Sequence, residues 1–131
     1  MTGPWQKRMR KRSETGKASE KRGRAAEWKA VALLLCKGYR LIGRRVKTRL
    51  GEIDLIVRSP SGVLCFVEVK ARPDENLAAE AVGQRQRGRI VRAAAAYLAG
   101  RPAQTRFDIV TVLPGKWPRH QKDAWRADDI S

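Results

Sequence analysis

The chain has 131 residues, room for one domain with a real core and too few for two ordinary ones. Its 29 Lys and Arg against 13 Asp and Glu leave a formal charge of +16, an excess that attracts polyanions, with nucleic acid as the first candidate. Composition also excludes: the longest apolar run, Ala30 to Cys36, is far too short to span a bilayer, and a single histidine argues against a His-rich zinc centre. The basic N-terminus has no apolar stretch after it, so no secretory signal is expected. Cys36 and Cys65 sit apart in apolar contexts and read as reduced, buried thiols of a cytoplasmic protein rather than a disulfide or metal site.

Residues 1–23 form a separate basic unit, with Trp5 and Met9 as its only large apolar residues, too little to order itself by burial. It reads as an electrostatic arm or a solvated tail ahead of a single domain over 24–131. Residues 25–37 are expected to form a helix, apolar nearly all round through Trp28, Val31, Leu33, Leu34 and Leu35, and therefore largely buried, with Gly38 as its stop. Glu27 falls on the stripe of Ala30, Val31 and Leu34. A carboxylate there either has a partner or is an exposed first-turn residue favoured by the helix dipole.

A strand follows over Tyr39–Val46, then a second over Gly51–Val57 and a third over Val63–Lys70. Ser59-Pro60-Ser61-Gly62 between the last two has the chemistry of a three-residue hairpin loop. A second helix is expected from about Leu77 to Ala99, weak at Gly83 and stopped by Gly100 and Pro102, with Arg85, Arg89 and Arg92 on one stripe. Arg106–Leu113 alternates as a strand, and Lys116–Ser131 reads as a last short strand or extended segment with an acidic end.

The hairpin loop sets a register. If Ser59 pairs with Val63, then Arg58 faces Leu64, Ile56 faces Phe66, Asp54 faces Glu68 and Glu52 faces Lys70. One face then holds Ile53, Leu55, Val57, Val63, Cys65, Val67 and Val69 and suits a core. The other holds Ile56, Leu64 and Phe66 near the turn and gathers Glu52, Asp54, Glu68 and Lys70 at its far end. Like charges directly opposed in a sheet are destabilising, and a divalent cation such as magnesium would compensate them, because hard ions take carboxylate oxygens. Lys70 lies on the same face as Glu68, roughly 6.5 Å along the strand. Two carboxylates and an ammonium around a metal suit phosphodiester hydrolysis: the metal polarises the phosphate and lowers the pKa of water, and the lysine orients that water or neutralises developing charge. The alternative is an edge hairpin whose charges face water, with Glu52 bridging Lys70. Beside it, Arg40, Arg44, Arg45, Lys47 and Arg49 concentrate positive charge, and the Arg85, Arg89, Arg92 stripe adds a face for phosphate contact.

Glu27, Gly38-Tyr39, Gly51-Glu52-Ile53-Asp54-Leu55-Ile56, Phe66-Val67-Glu68-Val69-Lys70 with Arg72, Arg106-Phe107-Asp108 and a closing His120 with Asp123-Ala124-Trp125 resemble the bacterial YraN family over roughly residues 24–127. The resemblance implies a restriction-endonuclease-like (Holliday-junction-resolvase-like) α/β core, a mixed sheet flanked by helices in the order α-β-β-β-α-β with a short terminal strand, and the PD-(D/E)xK nuclease motif. It further implies Asp54, Glu68 and the Val69 carbonyl as ligands of magnesium or manganese, Lys70 as the catalytic lysine and Glu27 as a helix-borne acid completing the site. It implies DNA more than RNA as substrate, branched or damaged DNA among the candidates, and a homodimer by analogy with resolvases. Three positions depart from the pattern: Ile53 stands where the motif name has Pro, Gln86 where a lysine is expected, and Arg45 where Asn is frequent. The last two bear on substrate contacts, to which Arg45, Lys47, Arg49, Arg72, Arg85, Arg89 and Arg92 are assigned.

A metal-dependent endonuclease is thus the leading expectation. The other class is a non-catalytic nucleic-acid-binding or accessory protein on a nuclease fold, since fold alone never proves activity. Asp54, Glu68 and Lys70 together favour the enzyme, because a pure binder needs no acidic cluster facing an anionic ligand.

Overall fold

The computed structural model describes residues 23–75 and 82–129. The basic segment over 1–22 and the first stretch expected of the second helix, 76–81, lie outside the described residues. Residues 23–36 are helical (α1). Gly38 at φ 85° closes α1: its own N–H donates to Leu35 O and that of Tyr39 to Leu34 O, both at 3.0 Å. A left-handed residue after the last turn is what satisfies these otherwise orphaned carbonyls.

Five strands follow in one mixed sheet: β1 Arg40–Thr48, β2 Gly51–Arg58, β3 Leu64–Ala71, β4 Thr105–Val112 and β5 Arg119–Trp125. Spatial order equals chain order, antiparallel throughout except for the parallel β3–β4 pair. That parallel step needs a crossover, which contains the helix α2, Gln84–Leu98. The order α-β-β-β-α-β-β agrees with the nuclease-like core expected from the sequence.

The hairpin register is as read from its turn. Arg58 pairs with Leu64 and Ile56 with Phe66. Ser59 N–H donates to Val63 O at 2.8 Å, Val63 N–H to Ser59 Oγ at 2.9 Å, and Gly62 takes φ 92°. The ladder ends at Leu55–Val67, however, and the expected Asp54–Glu68 and Glu52–Lys70 pairs do not form part of it. The Val69 N–H donates instead to Asp54 Oδ2 at 2.9 Å, so a carboxylate replaces a backbone carbonyl where the strands part.

The sheet is covered on both faces. Ala26, Ala30, Val31, Leu33 and Leu34 of α1 pack on Leu55, Val57, Cys65, Val67, Val110 and Val112. Ile90, Ala93 and Ala94 of α2 pack on Ile53, Ile56, Leu64, Phe66, Phe107 and Ile109. Ile53 therefore belongs to the α2 side rather than with Leu55 and Val57, because regular alternation does not continue through Asp54.

Three further expectations change. Only one side of α1 is buried, so Trp28 and Leu35 are exposed. Cys36 is exposed as well, and Cys65 alone is the buried thiol. Helix α2 begins at Gln84, with extended Gly83 as its N-cap, rather than running through that glycine from Leu77. Glycine lacks a side-chain cap and costs about 1 kcal/mol inside a helix, so it serves better as a boundary. No helix among the described residues is long and apolar enough to cross a membrane.

Candidate functional site

Where β2 and β3 part, the two central carboxylates come together. Asp54 is half-buried, anchored by the Val69 N–H, and shares a hydrogen bond with Glu68. Glu68 Oε1 also accepts from Gln86 Nε2 at 3.2 Å, a contact from the first turn of α2 that holds the carboxylate from the facing layer. Gln86 is thus a polar partner of the pair at the position where a lysine was expected.

Burial raises the Asp54 carboxyl above its ordinary value; the Val69 N–H opposes the rise, and the charge of Glu27 adds to it. Burial, reinforced by the charge of Asp54, pushes Glu68 up to about 8. Two carboxyls in one poorly solvated place cannot both ionise cheaply, so they hold a proton between them or await a cation. Lys70, two residues beyond Glu68 on β3, is 5 % exposed. The trio lies at the carboxyl end of β3, one of the two parallel strands, where ligands of open α/β sheets are bound.

Glu27 is buried on α1, at 7 % exposure, and its carboxylate is held by Arg45, whose Nε lies 2.8 Å from Oε2 and 3.1 Å from Oε1. Arg44 NH1 stands 3.9 Å from Oε2. Of the two readings for this residue, the partnered one holds. Its charge is felt at Asp54, while its oxygens are engaged by arginine. Arg45, assigned to substrate contact, is thereby turned toward Glu27, with its side chain only 35 % exposed.

Among the described residues no group of three or more His, Cys, Asp or Glu side chains converges as a ready cage for a metal. Two half-buried carboxylates that repel each other, beside the Val69 main chain, still fit magnesium or manganese. Such ions commonly take one or two carboxylates and fill the remaining positions with water and substrate phosphate.

The cationic residues divide. Lys47, Arg49, Arg85, Arg89 and Arg92 are exposed. The strand and helix sets meet, because a Cβ on Gly51 would lie 3.5 Å from that of Ala93 and 3.8 Å from the Arg89 carbonyl. The Lys47–Arg49 turn and the α2 arginines therefore flank one end of the sheet. Arg72 is half-buried and donates to the Ala71 carbonyl at 3.0 Å.

A second polar cluster was not foreseen as such. Asp108 is fully buried, yet Arg106 Nε and NH2 each donate to it at 2.8 Å, His120 Nε2 is 2.8 Å away and the Asp123 N–H donates at 3.0 Å. Arg106 also donates to the Tyr39 hydroxyl at 2.7 Å, and His120 Nδ1 faces Lys37 Nζ at 2.6 Å. Burial alone would raise Asp108, but His120, Arg106 and the Asp123 N–H outweigh it and bring the group down to about 2. The available signal was Arg106 and Asp108 two apart on a strand, hence on one face.

Compared with known proteins, residues 26–112 match the profile of the Uncharacterised protein family UPF0102. A UPF0102 protein of Maricaulis maris is 48% identical over 115 residues, covering 85% of this chain and 90% of its own length. One of Parvibaculum lavamentivorans is 50% identical over 116 residues, with 86% of each chain covered. One of a Caulobacter species is 43% identical over 122 residues, 90% of this chain and 87% of the relative.

Proposed function

The chain belongs to the UPF0102 family, the YraN family, and from that premise and its paired carboxylates we propose that it is a metal-dependent endonuclease hydrolysing phosphodiester bonds in nucleic acid. The observation that carries the reading is the half-buried Asp54–Glu68 pair, hydrogen-bonded together, with buried Lys70 two residues beyond Glu68 on β3. Magnesium or manganese, held by Asp54, Glu68 and the Val69 carbonyl, would supply Lewis acidity toward the phosphate and a lowered pKa for water. The Val69 N–H and Gln86 keep the two carboxylates in place. Lys70 orients the attacking water or offsets charge developing on the phosphate. Lys47, Arg49, Arg85, Arg89 and Arg92 bind the sugar-phosphate backbone without reading sequence.

The test is incubation of the protein with branched, duplex and single-stranded DNA and with RNA, in magnesium or manganese and in chelator. Cleavage is expected with metal and is lost with chelator; branched DNA comes first, following the likeness to junction resolvases. If nothing is cut under any condition while binding persists, the endonuclease reading fails. The second reading, a non-catalytic binding protein on the same fold, then takes its place. What favours that alternative is Glu27, whose carboxylate is engaged by Arg45 and not by the pair.

Backbone binding has its own signature. Affinity should fall steeply with salt, and Arg89→Ala or Lys47→Ala should weaken binding to all sequences alike, each lowering the salt slope by about 1. An unchanged slope in both variants would remove this end of the sheet from the interface.

A further inference from the structure

Trp28 keeps its indole in water, at 54% exposure, on the turn of α1 that carries Glu27. The Arg44 guanidinium lies 4.0 Å over its ring and reaches back to within 3.9 Å of Glu27, whose charge in turn raises Asp54. An aromatic ring with an arginine stacked on it, one residue along α1 from Glu27 and on a cationic surface, has the chemistry of a base-stacking platform. Arg24, Lys29 and Arg40 are exposed on α1 and at the start of β1 and Glu27 is buried, so cations outnumber acids on this side, where the exposed carboxylate of Glu52 on β2 acts on Arg45.

We infer that Trp28 and Arg44 seat an unpaired nucleobase beside Glu27 on α1, so that the protein prefers strands with exposed bases. This rests on the reading of the carboxylate site as one that acts on nucleic acid. Bases in a duplex are stacked on their neighbours and cannot present a face to the indole, whereas a single strand, flap or junction arm can. A nucleotide stacked there brings its own phosphates toward Arg44 and Arg45. The occupant is a nucleic acid rather than a protein because the surface is basic and the ring already accepts a planar cation.

The experiment measures binding of the full-length protein in chelator, so that nothing is cut. Its probes are oligothymidylate, oligouridylate, an abasic strand of equal length and a duplex. Wild type should bind the base-bearing strands about tenfold tighter than the abasic one. Trp28→Ala should erase that difference while leaving abasic-strand and duplex binding unchanged, and Trp28→Phe should retain most of it. Which of the two base-bearing strands shows the larger loss says whether the seat serves DNA or RNA. Equal binding of all strands by wild type overturns the inference. So does a Trp28→Ala protein with wild-type preference, which would leave the Trp28 and Leu35 face to a protein partner. If no probe binds at all, the nucleic-acid reading itself falls, an outcome distinct from the other two.

Discussion

Replacing Glu68 by glutamine is expected to abolish strand cleavage and, in the same protein, to raise the melting temperature measured without metal. Glutamine keeps the length of the side chain and an oxygen that can accept from Gln86, so the packing between β3 and α2 survives. What disappears is the cost of keeping a second ionisable carboxyl in a poorly solvated place, where burial and Asp54 already push Glu68 up to about 8. Relieving that opposition should stabilise the fold on the order of 1 kcal/mol, or about 4 °C. On the proposed endonuclease reading a bound metal would lose a ligand, and a contribution of several kcal/mol to the transition state corresponds to roughly a thousandfold in rate. Adding magnesium should raise the melting temperature of wild type by mass action and leave that of Glu68→Gln unmoved. A variant that melts lower than wild type without metal would show that the pair is not strained, and one that responds to magnesium equally would show that it is not a metal site.

Asp108→Asn should be the most damaging of the polar substitutions for stability. The carboxylate is fully buried and joins Arg106, His120 and the Asp123 N–H, tying β4 to β5. Removing one charge of a buried pair leaves the other without compensation, a loss of about 3–5 kcal/mol. Acid titration gives an independent readout. Asp108 falls to about 2 in the folded protein from the ordinary 3.8. A depressed carboxyl contributes stability that is complete above its unfolded value and is lost as pH falls through the folded one, so the window runs from about pH 4 down to about pH 2. Within it wild type should lose about 2 kcal/mol that Asp108→Asn never had. Urea denaturation across that range measures both numbers, and parallel curves for the two proteins would refute the assignment.

Short-range chemistry was legible wherever one residue type dominated a turn. Ser59 and Gly62 set the Arg58–Leu64 and Ile56–Phe66 pairing, and Gly38 ended α1. Alternation misplaced Ile53, because it assumes an unbroken ladder and Asp54 interrupts this one by accepting the Val69 N–H. Hydrophobicity misjudged Trp28 and Leu35, since a helix lying on one sheet face buries a single stripe however apolar its other side. Gln86 was visible only as a departure from a pattern. Its bond to Glu68 joins residues 18 apart in sequence, on different layers.

The amino-acid sequence by itself determined the order of elements, the hairpin register beside its turn and the large excess of positive charge. These follow from local propensity, turn stereochemistry and composition, which act over a few residues or over the whole chain at once. Tertiary structure alone decided that Glu27 is engaged by Arg45, that Gln86 supports Glu68, that Trp28 stands exposed under Arg44, and that Asp108 and His120 close a buried network. Each of those contacts depends on where a helix docks on the sheet or on how an edge strand pairs, and the packing of two layers sets such distances, not the spacing of residues along one strand.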